Sequence, residues 1–273
     1  MNSSMINAMV SMGGLQQKLD MLADNIANVN TAGYKRKVGT FEDLLTTMKQ
    51  QPQGFTQPGR LTPLGFNQGW GSRLTMAQPD LSQGPLQQTN QPYDVAIEGD
   101  ALFEVITDNA GNRAYTRDGA FQTTFDTNGN NILTTKDGYP VSAADGTRIE
   151  IPADVRSVRI EKDGSVVGLM GDGTDVRLGR IKLVQAVKPA LLAQVADNLF
   201  TVPDGINRTD AIRDVQPGAD NGISVQQGYV EQSNVNMTEE MTELINVQRA
   251  YQLSARALSS SDTMMGLANN LRA

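Results

Sequence analysis

Carboxylates are the side chains of this sequence with the most potential for chemistry. Five of them lie in or beside segments with strand-like alternation: Glu98, Asp100, Glu104, Asp118 and Asp126. Two acids on opposite sides of a cleft can act as general acid and as base or nucleophile in glycoside hydrolysis. Aromatic residues make up only 5% of the chain, which is little for a sugar-binding cleft. Because acids are mostly solvent-exposed, solvated strand edges and turns are favoured over a secreted carboxylate-based hydrolase, which is the alternative.

Residues 126–137 form a second candidate, a loop that imitates an EF-hand. Oxygen-bearing side chains occupy its first, third, fifth and twelfth positions. However, Asn131 stands at the sixth position, where the sharp turn needs glycine, and Asp137 stands where an EF-hand uses glutamate. Because strand-like segments flank the loop, a hairpin turn is favoured over a cation site. We therefore expect no metal.

Composition excludes several classes of function. The 273 residues include no cysteine and no histidine, which excludes thiol chemistry, disulfides, histidine general bases and zinc sites built on those ligands. No glycine-rich loop ends in the Lys-Ser/Thr pair of a phosphate cradle. The net charge of −7 argues against nucleic acid as a partner, because phosphate binding needs a basic face. We expect no catalytic residue, no cofactor and no enzyme activity.

Two segments at the ends of the chain have the apolar spacing of long helices. Apolar residues recur in alternating steps of four and three from Met1 to Val29, and a similar pattern runs from Met237 to Met265. Such seams are typical of helices that pack lengthwise on other helices. The candidate assembly interface is therefore made of Met12, Leu15, Leu19, Leu22, Ile26, Val29, Met241, Leu244, Tyr251, Ala255, Leu258 and Met265.

These helices have to pair, because an apolar stripe of this length is not stable alone. A closed intramolecular hairpin is one arrangement, and a coiled-coil-like stalk that bundles with copies of itself is the favoured one. Ser3 or Ser4 can cap the first helix, and Gly33 fits a left-handed C-cap. The Gly13-Gly14 pair indicates either a late helix start or the close approach of a neighbouring helix, and both interpretations stay open.

The segment that follows the first helix changes character. Its beginning, residues 41–48, predicts a short helix. Proline, glycine and glutamine then crowd residues 50–92, which predicts an extended arm without regular structure. The arm carries too many large apolar groups for a solvated tether, so we expect it to pack against the protein or a neighbour. The expected arm contacts are Leu61, Leu64, Phe66, Trp70 and Leu74.

The middle of the chain predicts β-structure. Alternation with a period of two and repeated Asp-Gly pairs indicate antiparallel hairpins. The predicted strands cover residues 93–98, 101–107, 113–117, 120–125, 155–161, 165–170 and 176–187. We therefore expect an α+β fold in which an antiparallel all-β domain is inserted between paired terminal helices. The predicted boundaries are 1–35 for the N-terminal helix, 36–92 for the connection and arm, 93–202 for the β domain, 203–227 for a return linker and 228–273 for the C-terminal helix.

Several runs resemble the signatures of bacterial flagellar rod and hook proteins. Residues 22–35, LADNIANVNTAGYK, resemble the N-terminal signature of that family. Residues 228–236, GYVEQSNVN, and 240–251, EMTELINVQRAY, resemble its C-terminal counterpart. Residues 94–103, DVAIEGDALF, and 115–121, YTRDGAF, resemble its central motifs. The family more often has Asn where this chain has Asp24.

The resemblance implies a structural subunit of the flagellar rod, most like the distal-rod type. It implies self-assembly into a helical tube that transmits torque from motor to hook, with adjacent rod and hook proteins as partners. A proximal-rod or hook subunit is the alternative, although the modest β insert disfavours a hook. We expect the protein in the basal body, spanning the cell envelope, after passage through the flagellar type III export apparatus without a cleaved signal. No apolar run approaches the length of a membrane span, so we expect no membrane insertion.

Overall fold

Long helices begin and end the fold, and most of the chain between them is β-structure. The computed structural model describes residues 2–43, 47–50, 65–68, 72–74, 78–107, 112–126, 129–196, 198–218 and 221–271. Its helices are α1 (Asn2–Ala27), α2 (Arg208–Ala211) and α3 (Met237–Asn270), with a 3-10 turn at Pro189–Leu191. The long helix predicted at each end of the chain is therefore confirmed.

The strands are short. In chain order they are β1 (Lys37–Val38), β2 (Phe41–Asp43), β3 (Thr47–Gln50), β4 (Gly65–Gln68), β5 (Ser72–Leu74), β6 (Gln78–Pro79), β7 (Leu86–Gln88), β8 (Val95–Glu98), β9 (Leu102–Ile106), β10 (Arg113–Thr116), β11 (Gln122–Phe125), β12 (Asn131–Thr134), β13 (Glu150–Ile151), β14 (Val155–Ile160), β15 (Ser165–Met170), β16 (Asp175–Arg180), β17 (Leu183–Ala186), β18 (Ala193–Ala196), β19 (Leu199–Thr201), β20 (Ile212–Val215), β21 (Ser224–Gln227) and β22 (Tyr229–Glu231).

Two compact units divide the chain. Unit 1 consists of Met1–Ile26, Lys37–Gln78 and Met237–Ala273, and so contains most of α1, all of α3 and the strands β1 to β5. Unit 2 consists of Ala27–Arg36 and Pro79–Asn236. Each unit is therefore assembled from pieces that lie far apart in the sequence.

In unit 1 the segment after α1 forms antiparallel strand pairs. β2 pairs with β5, with Phe41 opposite Leu74, and β3 pairs with β4. The helix predicted over residues 41–48 is therefore wrong for the residues that the structure describes, and so is an arm without any regular structure. Cross-strand pairing has overridden a local pattern that was compatible with a helix.

The first helix differs from its prediction at both ends. It begins at Asn2, ahead of Ser3 and Ser4, and runs without a break through Gly13-Gly14. A Cβ on Gly14 would lie 3.2 Å from Cε1 of Phe41 and 3.3 Å from the carbonyl oxygen of Ser72. Close approach is thus the correct interpretation of Gly14, but the neighbour is a strand segment of the same chain. Because α1 ends at Ala27, Gly33 is not its C-cap.

Unit 2 is built from antiparallel sheets. The largest has six strands in the order β18-β19-β10-β9-β17-β20. Two further sheets have three strands each, β11-β12-β13 and β14-β15-β16; β12 and β13 are not among the predicted strands. The main core lies around Phe103, whose ring meets that of Phe121 edge to face at 5.0 Å. The predicted strands between residues 93 and 187 are present, although 176–187 divides into β16 and β17.

The return segment is part of the fold of unit 2. Residues 203–227, predicted as a linker, contain α2, β20 and β21. β20 pairs with β17 and β21 pairs with β8. The segment therefore contributes strands to the sheets of unit 2 and is not only a linker. The inserted part therefore contains short helical turns as well as strands. Of the EF-hand-like residues 126–137, Asn131–Thr134 form β12, and at the β11–β12 hairpin the Asp126 N–H donates to the Asn130 oxygen at 2.8 Å.

Candidate assembly faces and a buried ion triad

In unit 1, α1 and α3 contact each other through polar side chains. Lys18 forms an ion pair with Glu243, and Nδ2 of Asn25 donates to Oε2 of Glu240 at 3.1 Å. The numbering runs in opposite directions on the two helices, so these contacts are antiparallel. Asn25 and Glu240 are both fully buried. Asn25 also bonds to both backbone groups of Lys37, which ties the helix pair to β1.

The predicted seam residues lie mostly on the sheltered sides of these helices. Leu22 is buried, and Met241, at 44% exposure, is the exposed exception. Val29 lies beyond the end of α1. The remaining members are half-buried: Met12, Leu15, Leu19, Ile26, Leu244, Tyr251, Ala255, Leu258 and Met265.

Another set of apolar residues is exposed on these helices, and only Met237 and Met241 of that set belong to the predicted pattern. Leu253 and Leu267 are each 64% exposed, although both are large and apolar. A search for apolar residues off the seam would have found them, because a helix with a single buried stripe is polar elsewhere. The exposed apolar set consists of Ile6 and Met9 on α1, of Met237, Met241, Ile245, Leu253, Met264 and Leu267 on α3, and of Leu271 directly after α3.

The predicted arm contacts are described only in part. Leu74 is half-buried in β5, where its Cδ1 lies 3.3 Å from the position of a Cβ on Gly39. Phe66 belongs to β4. Leu61, Leu64 and Trp70 lie outside the described residues.

A buried ion triad lies in unit 2, and the sequence analysis missed it. Lys35, Arg117 and Glu231 are each exposed by 2% or less. Nζ of Lys35 lies 2.7 Å from Oε1 of Glu231, and Nε of Arg117 donates to Oε2. The Gly84 N–H also donates to Oε1, at 2.8 Å. The carboxylate of Glu231 is therefore held by two cations and one backbone donor.

Further bonds satisfy the two cations. Nζ of Lys35 donates to the Ser82 carbonyl oxygen at 2.7 Å, and the Arg117 guanidinium donates to the carbonyl oxygens of Ala101 and Ile97. Burial lowers the pKa of the Lys35 ammonium, and the Glu231 carboxylate opposes that shift. Each member comes from a different signature run: 22–35, 115–121 and 228–236.

The acids considered for catalysis take part in hydrogen bonds and ion pairs. Glu98 accepts hydrogen bonds from Ser224 and Gln226. Buried Glu104 lies 2.7 Å from Arg208 and 3.3 Å from Lys182. These are the contacts of structural carboxylates. Of the remaining candidates, Asp126 pairs with Arg148, Asp118 has its pKa raised by burial, and Asp100 lines an open cleft of about 440 Å³.

Neither a metal cluster nor a membrane span is found among the described residues. No group of three or more acidic side chains is gathered as a metal site there. In the same part of the chain, no helix has the length and apolar character that crossing a membrane requires.

Three family models match the chain, in the order of its signature runs. Residues 7–35 match the model described as "Flagella basal body rod protein". Residues 96–168 match "Flagellar hook protein FlgE/F/G D1 domain". Residues 226–271 match "Flagellar basal body rod FlgEFG protein C-terminal".

Individual relatives match over nearly their whole length. The flagellar basal-body rod protein FlgG of Borreliella burgdorferi is 35% identical, over 94% of each chain. The flagellar hook-basal body complex protein FlhP of Bacillus subtilis is 33% identical, over 98% of this chain and 99% of its own. FlgG of Bacillus subtilis is also 33% identical, over 98% of each chain. The chain therefore belongs to the family of flagellar basal-body rod proteins and is a structural subunit of the distal-rod type.

Proposed function

We propose that this rod subunit assembles through α1 and α3 into a helical tube that transmits torque from motor to hook. The observation that carries the proposal is the exposed apolar set, above all Leu253 and Leu267 on α3 and Leu271 directly after it. Fully burying one such side chain is worth about 1.5–3 kcal/mol. A rod is a repeating structure, so the occupant that best fits this surface is a second copy of the chain.

In this proposal α3 has two roles on different sides. Its half-buried seam packs on α1 of the same chain, as a coiled-coil-like stalk, where the Lys18–Glu243 and Asn25–Glu240 contacts support the pairing. Its exposed apolar residues pack on neighbouring copies. The resulting tube has many helix contacts per subunit, and those contacts resist sliding when the rod turns.

The remaining parts of the proposal follow from membership of the rod family. Adjacent rod and hook proteins contact the ends of the tube, which spans the cell envelope. The subunit reaches its place through the flagellar type III export apparatus, without removal of a signal peptide. The arm, residues 50–92, contacts a neighbouring subunit.

The experiment examines Leu253→Asp in the full chain, with a second exposed position on α3 as the control for charge. The comparison is with Ser259→Asp, whose residue is exposed and lies about 120° around the α3 axis from Leu253. Each variant adds one negative charge, but only the first removes apolar surface. Leu253→Asp is expected to leave the circular dichroism of the monomer unchanged and to reduce polymerisation at least about tenfold, which corresponds to losing one buried leucine.

Ser259→Asp controls for the added charge and is expected to polymerise within about twofold of the parent chain, because it lies off the proposed contact side. Polymer is measured by sedimentation and by electron microscopy of the rods. Equal polymerisation of the two variants, with normal rods and motility, would show that this side of α3 does not contact other copies.

A further inference from the structure

We propose that the ion triad of Lys35, Arg117 and Glu231 is a latch that makes the segments at residues 32–36 and 228–234 dock in unit 2 as one. The first segment follows α1 and the second precedes α3. The latch therefore couples the two ends of the chain. This coupling is independent of how the helices assemble with other copies.

The energetic basis is the cost of a buried charge without a partner. If residues 228–234 left their place, Lys35 and Arg117 would lose Glu231, the anion that both of them contact. Breaking a buried ion pair by removing one partner is strongly destabilising, whereas the intact pair contributes little net stability. The latch thus acts mainly by destabilising every state in which only one of the two segments is docked.

Hydrogen bonds that backbone amides of the first segment donate to the second segment strengthen the coupling. The Gly33 N–H donates to the Glu231 carbonyl oxygen at 2.8 Å, and the Arg36 N–H donates to Oδ1 of Asn234 at 2.8 Å. Neither segment can keep these bonds when the other one leaves. Since they flank the ion pairs, all of these contacts are expected to open in a single step.

As a consequence, docking of the first segment requires that the second segment is present. An incomplete chain that lacks the second segment has no anion for Lys35 and Arg117, so residues 32–36 stay undocked. A complete chain closes both segments together. Unit 2 therefore reaches its final form only when the residues that precede α3 have arrived.

Native-state hydrogen exchange on the monomeric full-length chain tests the latch. In the parent chain, the amides of Gly33, Arg36, Gly84 and Gln232 should show the same opening equilibrium. Lys35→Met is expected to lower protection at least about tenfold at the Gln232 amide. That amide bonds to the Pro85 oxygen and belongs to the other segment. Glu231→Gln should likewise lower protection at the Arg36 amide.

The double variant shows whether the two substitutions act on the same contact or lower protection independently. In Lys35→Met/Glu231→Gln one buried cation is gone, so its protection should be no lower than that of Glu231→Gln alone. The matched control is Glu98→Gln, which changes an exposed carboxylate bonded to Ser224 and Gln226 and should change protection less than about twofold.

Two results would overturn the proposal. One is Lys35→Met leaving the Gln232 amide as protected as in the parent chain. The other is the two single effects multiplying in the double variant. If Glu231→Gln fails to fold, Lys35→Met decides the matter alone, because Arg117 still pairs with Glu231 in that variant.

Discussion

At the scale of single residues, Gly33 shows how one position can be constrained twice. Its φ is +69°, and a Cβ there would lie 2.4 Å from the backbone nitrogen of Asp118. The left-handed conformation predicted for this glycine is confirmed. Its predicted place at the end of α1 is wrong, because α1 ends at Ala27. The second constraint comes from a residue far along the chain, and no local pattern contains it.

We predict that Gly33→Ala lowers the free energy of unfolding of unit 2 by at least about 2 kcal/mol, because strain and a backbone clash add. Gly129→Ala is the matched control, since φ is +82° there and nothing lies within 4 Å of the added Cβ. It should cost only about 1–2 kcal/mol of backbone strain. Urea denaturation followed by circular dichroism measures both variants. Equal losses would mean that the contact with Asp118 relaxes freely.

At the scale of elements, the local patterns were reliable where strands and turns are adjacent in sequence. The hairpins β14–β15 and β15–β16 follow alternation and Asp-Gly pairs, and both of these signals are local. The prediction was wrong at β2, whose partner β5 lies beyond the intervening residues 44–71. The buried pair of Asn25 and Glu240 was missed for the same reason, since one residue is on α1 and the other on α3.

That pair leads to a prediction about how α1 is held on α3. Asn25→Asp keeps the shape of the side chain but puts a carboxylate against the buried carboxylate of Glu240. We expect a loss of about 3–5 kcal/mol in the stability of unit 1, since a buried charge without a cation is strongly destabilising. The loss should shrink on acidification, because a protonated Asp can donate to Glu240.

Asp24→Asn is the control for this prediction, because it makes the reverse change, from a carboxylate to an amide, at the preceding residue. Asp24 is exposed and lies 3.1 Å from Nζ of Lys37, so its loss should cost less than about 1 kcal/mol. Helix unfolding followed by circular dichroism at several pH values compares the two variants. A cost for Asn25→Asp that is as small as that for Asp24→Asn would show that the two helices are not held by this contact.

At the scale of the whole molecule, the division into units follows neither the order of the sequence nor the boundaries that the sequence suggested. Unit 1 combines both ends of the chain with residues 37–78, and unit 2 takes residues 27–36 together with 79–236. Composition changes mark residues 50–92 as one segment, but chain composition carries no information about which distant pieces pack together. Helices at both ends with β-structure between them were predictable. The assignment of residues 27–36 to unit 2 and of residues 37–78 to unit 1 was not.

The last prediction concerns the arm, whose contacts with neighbouring subunits belong to the proposed function. Gln50 and Gly65 are directly paired in the β3–β4 ladder, so residues 51–64 can be replaced by Asn-Gly, which favours a two-residue hairpin turn. The replacement removes Phe55, Leu61 and Leu64 but keeps both strands and Trp70. We expect unit 2 to fold normally and the rods to bend more, because each lost leucine contributes about 1.5–3 kcal/mol when buried.

Phe55→Ser/Leu61→Ser/Leu64→Ser is the matched variant, because it keeps the length of the arm and removes only these three large apolar groups. If contact is what stiffens the rod, both variants should give shorter bending persistence lengths in electron micrographs. If only the replacement bends, the arm acts as a spacer. The emission of Trp70, the single tryptophan, should shift to the blue on assembly of the parent chain. Straight rods from both variants, with Trp70 emitting like a solvated indole, would show that the arm makes no contact between subunits.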